Sequence, residues 1–235
     1  MKIRFFLLIC FPAICIIGRA QGTKFMEPDY EAIKAAVSTS SASSYYPKLM
    51  QRYLNRDVPL TDDEFRLLYY GFIYQKNYAP YNSSMENNAL SLYLEKGTLT
   101  EEDCDVIINY TKISFVDYPF NFHHLRMTVY ALHLKGQHDE ADKLLKMLNG
   151  IIDAILSTGD GKTMRTAFHV IYTQHEYEIV NFLGYNAEHH TLNNRWDIIH
   201  LSKNSEKIPV FYFNVGEMLD AHKRITEKIN SEREL

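Results

Sequence analysis

Apolar residues recur every three to four positions through the first two thirds of this chain, and every second position in parts of the last third. A helix repeats its face every 3.6 residues and a strand every two, so the pattern predicts helices followed by a small strand-bearing region. Pro28-Asp29 opens a first helix through Val37, since proline is tolerated in the first turn. Over 47–56, Leu49, Met50, Tyr53 and Leu54 share a face. Thr61-Asp62-Asp63-Glu64 is spaced as a capping box, and Phe65, Leu68, Tyr69, Phe72 and Ile73 follow it as a buried stripe. A helix over 85–96 is closed by Gly97, and Thr100-Glu101-Glu102-Asp103 starts another that runs to Lys112.

The clearest helix pair lies between Phe122 and Leu156. Its second arm carries Ala141, Leu144, Leu145, Leu148, Ile152 and Ile155 on one face, and Gly136 begins the tight turn before it. This unit resembles a tetratricopeptide hairpin, in which glycine closes the first helix and alanine lets the second pack closely. Beyond Leu156 the register changes. Ser157–Lys162 reads as a loop, Ala167–Ile171 as a short strand, and Thr173-Gln174-His175-Glu176 as the start of a helix ending at Gly184. Trp196–Leu201 and Pro209–Val215 read as a hairpin, and a final helix begins near Gly216. The expected fold is mainly α: tetratricopeptide-like antiparallel hairpins over 28–156, then a small α+β region over 157–235 with a short antiparallel sheet.

The first twenty residues change the picture. Lys2 and Arg4 precede an apolar run from Phe5 to Ile17, and Gly18-Arg19-Ala20 is a small-x-small site. That is the pattern of a secretory signal peptide cut after Ala20, with 21–27 as a linker. The run is short for a bilayer span, which needs about 20 apolar residues. The chain is therefore expected to be exported to the periplasm or beyond, with no spanning segment after the leader. The leader holds three basic residues and no acid. Without it the net charge moves from −4 to −7, which offers no basic footprint for nucleic acid. Cys10 and Cys15 lie in the leader, so Cys104 stands alone and no internal disulfide is expected.

Three stretches in the second half, GDGKTMRTAFHVIYTQHEYEIVNFLGY, WDII and VFYFNVGEML, together with PDYEAIKAAV, YYPKLMQRYL and LLYYGFIYQKNYAPYN upstream, resemble the family called domain of unknown function 4919. The resemblance covers nearly all of the chain after the leader. It implies a mostly Bacteroidetes family that usually carries export signals, hence a Gram-negative envelope. It carries no established activity and no functional residue.

Candidate chemistry is sparse. Gly159-Asp160-Gly161-Lys162-Thr163 invites a phosphate-loop reading, but Leu156 stands where the motif needs its first glycine, so a polar turn is expected. His123-His124 and His189-His190 are adjacent pairs, and neighbours on a helix do not share a face. No metal set and no cofactor is expected. His169 alternates with Ala167 and Ile171 on one strand face. With His175, Glu176 and Asp160 near it in sequence, it is the candidate base of a hydrolase. The competing reading is a core histidine with a backbone or tyrosine partner. Cys104 reads as a buried structural thiol. Seventeen tyrosines are the unusual feature. Tyr70 and Tyr74 fall opposite the Phe65 stripe, and with Tyr78 and Tyr81 they are the candidate binding surface for an envelope protein, peptide or glycan. The competing reading is a helix sandwiched between neighbours. The expected function is a non-enzymatic binding or scaffolding module, with the hydrolase as the alternative.

Overall fold

The computed structural model describes residues 25–233, except 57, 82–89, 91, 94–95, 97 and 116. The leader with its cleavage site, and most of the helix expected over 85–96, lie outside the described residues. The chain is mainly helical and carries a small four-stranded sheet. Helices α1 (Tyr30–Ser38), α2 (Tyr46–Asn55), α3 (Asp62–Gly71), α4 (Glu101–Ser114), α5 (Phe122–Leu134) and α6 (His138–Leu156) precede the sheet. A 3-10 turn, Phe72–Tyr74, extends α3. No helix among the described residues is long and apolar enough to cross a membrane.

Local chemistry sets these boundaries. Thr61 and Glu64 cap α3 reciprocally, as do Thr100 and Asp103 at α4, so each helix starts with two of its backbone N–H groups satisfied by side chains. Glu64 also pairs with Arg52 of α2, tying the two helix ends together. Between α5 and α6, Gly136 sits at φ +71°, a left-handed position that glycine takes without a Cβ penalty. Gln137 N–H then donates to Leu132 O at 2.9 Å, the bond that closes a helix C-terminus. Beyond this turn α6 packs along α5, and it also packs on α3.

The last third holds β1 (Phe168–His169), α7 (Thr173–Phe182), β2 (Ala187–Asn193), β3 (Trp196–Leu201), β4 (Val210–Asn214) and α8 (Gly216–Arg233). Strand order is β1-β4-β3-β2. β2, β3 and β4 form antiparallel pairs, but β1 runs parallel to β4, with Phe168 opposite Phe213 and His169 opposite Asn214. The sheet is therefore mixed, which corrects the expected antiparallel one. The cause is connectivity: β1 leads into α7 and the β2–β3 hairpin before the chain returns, and such a crossover permits parallel pairing. Phe168, Phe211 and Phe213 join the sheet to a buried cluster that continues through Tyr69, Phe72, Phe120 and Ile155. A smaller cluster gathers Leu90, Cys104, Ile107, Met127 and Ala131.

Candidate functional site

The four candidate tyrosines do not share a surface. Tyr70 is fully buried, its hydroxyl donating to Ala154 O at 3.3 Å and His169 O at 3.1 Å. Tyr78 is buried and donates to Ile171 O. Tyr74 is half-buried and donates to Tyr30 O at 3.0 Å. Tyr81 is exposed and meets the His222 ring edge-on, with centroids 4.7 Å apart. The reason is that α3 is sandwiched: α1, α2 and α6 all pack on it, so both of its apolar sides are covered. The rings of Tyr69, Tyr70, Phe72 and Phe120 pack edge-to-face in the centre, an arrangement that satisfies the aromatic quadrupoles.

The hydrolase candidates also part company. His175 is buried and held at both nitrogens. Nε2–H donates to Phe120 O at 2.9 Å, which leaves Nδ1 to accept from the Tyr69 hydroxyl at 2.7 Å. That hydroxyl in turn accepts from Ile171 N–H at 3.2 Å. The run of bonds fixes one neutral tautomer, and burial pushes the imidazole pKa down to about 3. His169 sits elsewhere, with Nε2 3.9 Å from Glu27 and its ring against Tyr30. Burial, then the charges of Arg66 and Arg195, lower its pKa to about 4. Asp160 accepts from Lys162 N–H and the Thr166 hydroxyl, and so stabilises its own turn. Gly161 in that turn has φ +69°, and a Cβ there would strike the Phe168 ring. The Gly-Asp-Gly sequence thus answers to turn sterics. None of the hydrogen bonds, ion pairs or ring contacts of His169, His175 and Asp160 joins one to another.

Glu176, next to His175 in the first turn of α7, is fully buried. Among the described residues no N–H or hydroxyl donates to either of its oxygens. Burial first, and Asp197 second, raise the Glu176 pKa well above the usual carboxyl range. Asp197 is itself 4% exposed and accepts from His190 Nδ1–H of β2 at 2.9 Å. Sequence reasoning missed Asp197 and left His190 as an ordinary surface residue. The signal was present: alternation in β3 places Asp197 on the inner face with Ile199 and Leu201. Among the described residues no group of three His, Cys, Asp or Glu could hold a metal ion.

A groove of about 480 Å³ opens elsewhere, between α2, the 3-10 turn and the segment 115–119. Tyr46, Phe72 and Pro119 form its buried floor, and Pro47, Met50, Leu54 and Phe115 its apolar walls. Gln51, Asn55, Gln75 and Asn77 add four carboxamides, and among the described residues no charged side chain lines it. Its volume falls in the range of ligand sites, roughly 300–1,000 Å³. No sequence motif announced it, because its residues come from three separate segments.

Comparison with curated proteins and with solved structures found no match. A family model matches residues 31–224, a span that takes in the groove, the two buried carboxyl groups and the whole sheet, and by that match the chain belongs to the family described as domain of unknown function (DUF4919).

Proposed function

We infer that this is an exported, non-enzymatic binding module of the cell envelope whose groove holds an extended, uncharged peptide segment of a partner. The observation that carries the reading is the groove lining: apolar walls, four carboxamides and, among the described residues, no charge. Carboxamides offer donors and acceptors together, as a peptide backbone does. Pro47, Met50 and Leu54 suit aliphatic side chains, and methionine adapts to irregular shapes. Export is supported by the leader pattern in residues 1–20. The helical hairpin around Gly136 suits a scaffold, as in tetratricopeptide arrays, though that analogy speaks to fold alone. The hydrolase reading loses its support, since its candidate residues lie in separate surroundings.

The test uses the chain from Gln21 onward. Peptide display should select uncharged sequences rich in proline and aliphatic residues, and their backbone amides should be needed for binding. Leu54, 38% exposed on the groove wall, tolerates change without opening the core. Leu54→Glu should weaken a selected peptide at least tenfold while leaving the urea midpoint within about 0.5 kcal/mol of the parent. Selected peptides that bind this variant equally well would refute the groove as the site.

A further inference from the structure

Two imidazoles face each other across the α5–α6 turn. His133 lies in the last turn of α5 and His138 opens α6, and their Nδ1 atoms are 3.0 Å apart. The ring centroids are 5.3 Å apart, so the two nitrogens meet nearly head-on. Both side chains are exposed. One Nδ1 carries a hydrogen and the other accepts it. Their spacing in the chain would not bring two side chains together on one continuous helix. The turn does so. Gly136 takes φ +71°, its N–H donates to His133 O at 3.0 Å, and Gln137 N–H donates to Leu132 O at 2.9 Å. The backbone that carries the pair is therefore fixed before any ligand arrives, which lowers the entropic cost of binding.

We propose that His133 and His138 form a two-histidine surface site for a divalent transition-metal ion, Cu2+ foremost, that clips the α5–α6 hairpin. Imidazole suits copper, nickel and zinc, and affinity for a given set of donors peaks at Cu2+. Two nitrogens each about 2.0–2.1 Å from one ion lie about 2.9 Å apart at a right angle and about 3.3 Å apart at the tetrahedral angle. The observed 3.0 Å matches the right angle of a tetragonal Cu2+ or Ni2+ site. Each ring must swing about χ2 to aim its lone pair at the shared ion instead of at the other ring, and histidine χ2 is broad. The hydrogen between the rings passes through water to Nε2 of its own imidazole. Both rings then bind as neutral ligands, and no net proton is released.

Charge does not oppose the ion. Lys135, between the two histidines in sequence, is held to α4 by Asp105 at 2.8 Å and Glu101 at 3.4 Å. Asp139 and Asp142, both exposed, follow His138 along α6. The ion would sit at the negative end of α5 and the positive end of α6, so the two helix dipoles offset. Two protein ligands leave the other positions to water, consistent with no group of three His, Cys, Asp or Glu among the described residues being able to hold a metal. His189 and His200 make a different kind of pair: they stack face to face, with centroids 4.1 Å and planes 10° apart, so their nitrogens do not meet head-on. The proposal is independent of the groove, which shares neither His133 nor His138.

The test uses the untagged chain from Gln21 onward, with Cu2+ alone as the probe. Calorimetric titration should show a tight first equivalent, and its electron paramagnetic resonance should show a tetragonal centre with two nitrogen donors. His133→Ala and His138→Ala should each weaken that equivalent roughly tenfold or more, at least what loss of an outer-shell partner costs a metal site. The double variant should bind no more weakly than either single one, because a chelate is lost with its first arm. His200→Ala should bind as the parent does, which separates this pair from the stacked one. Both altered side chains are exposed, so the metal-free variants should melt with the parent. A parent without a tight first equivalent, an affinity unchanged by His133→Ala or by His138→Ala, a first equivalent lost in His200→Ala, or a spectrum with a single nitrogen donor would each overturn the site.

Discussion

Replacing Tyr69 by phenylalanine removes one oxygen and should cost far more than its size suggests. The Tyr69 hydroxyl accepts from Ile171 N–H and donates to His175 Nδ1, and all three residues are buried. The ring itself, packed on Tyr70, Phe120 and His175, is retained in phenylalanine. The change therefore isolates hydrogen bonding from packing. Each buried group left without a partner costs about 1–3 kcal/mol, so the loss should be about 2–6 kcal/mol. Tyr46→Phe is the matched control. Tyr46 is buried too, but its hydroxyl has no protein partner among the described residues, so its removal should change stability by less than about 1 kcal/mol. Urea denaturation at pH 7.5, followed by circular dichroism, gives both numbers. A Tyr69→Phe loss below about 1 kcal/mol, or equal losses in the two variants, would refute the claim that this bonded run organises the core.

Further outcomes follow from charge and sterics. His124, His169 and His175 are buried, with pKa values lowered to about 4, 4 and 3. The unfolded chain takes up protons first, so stability falls as pH drops below about 6.5. Each histidine contributes a slope of up to about 1.4 kcal/mol per pH unit, and Glu176 offsets one of the three. The net loss between pH 6.5 and 5 should run near 3 kcal/mol per unit, steeper in Glu176→Gln; equal slopes in urea titrations of the two proteins would count against it. Gly161→Ala should destabilise the protein by about 2 kcal/mol or more, because it adds a clash to a left-handed backbone. Lys162→Ala, exposed beside it, should be neutral in the same thermal melts, and a parent-like Gly161→Ala would refute the steric account.

Periodicity and capping made the helices legible before any coordinates. Thr61, Glu64, Thr100 and Asp103 mark helix starts that the structure keeps. A helical wheel puts Tyr70 opposite the Phe65 stripe, as a second apolar side of α3. A wheel cannot say whether that second side is covered, and here α1 and His169 cover it. β2 escaped notice because Glu188, His189, His190 and Thr191 are exposed on both faces and show no alternation. The parallel β1–β4 pair depends on how α7 folds back, which no local window contains. Of the site residues, Glu176 was visible as a carboxylate next to a histidine. Asp197 was visible only as a polar residue on an apolar strand face.

His175 and Glu176 are chain neighbours on one helical turn, and both are buried, the imidazole against Tyr69 and Phe120. Each is buried in its uncharged form, but they lean on the proton in opposite senses. Acid taxes the imidazole and alkali taxes the carboxyl, and the two slopes have equal size and opposite sign. Wherever both groups stay neutral in the folded chain, between the ordinary carboxyl and imidazole ranges, the slopes cancel. The first turn of α7 then behaves as a band-pass element: indifferent to pH across a mildly acidic plateau, and destabilised on either flank of it, by the imidazole on the acid side and by the carboxyl on the alkaline side.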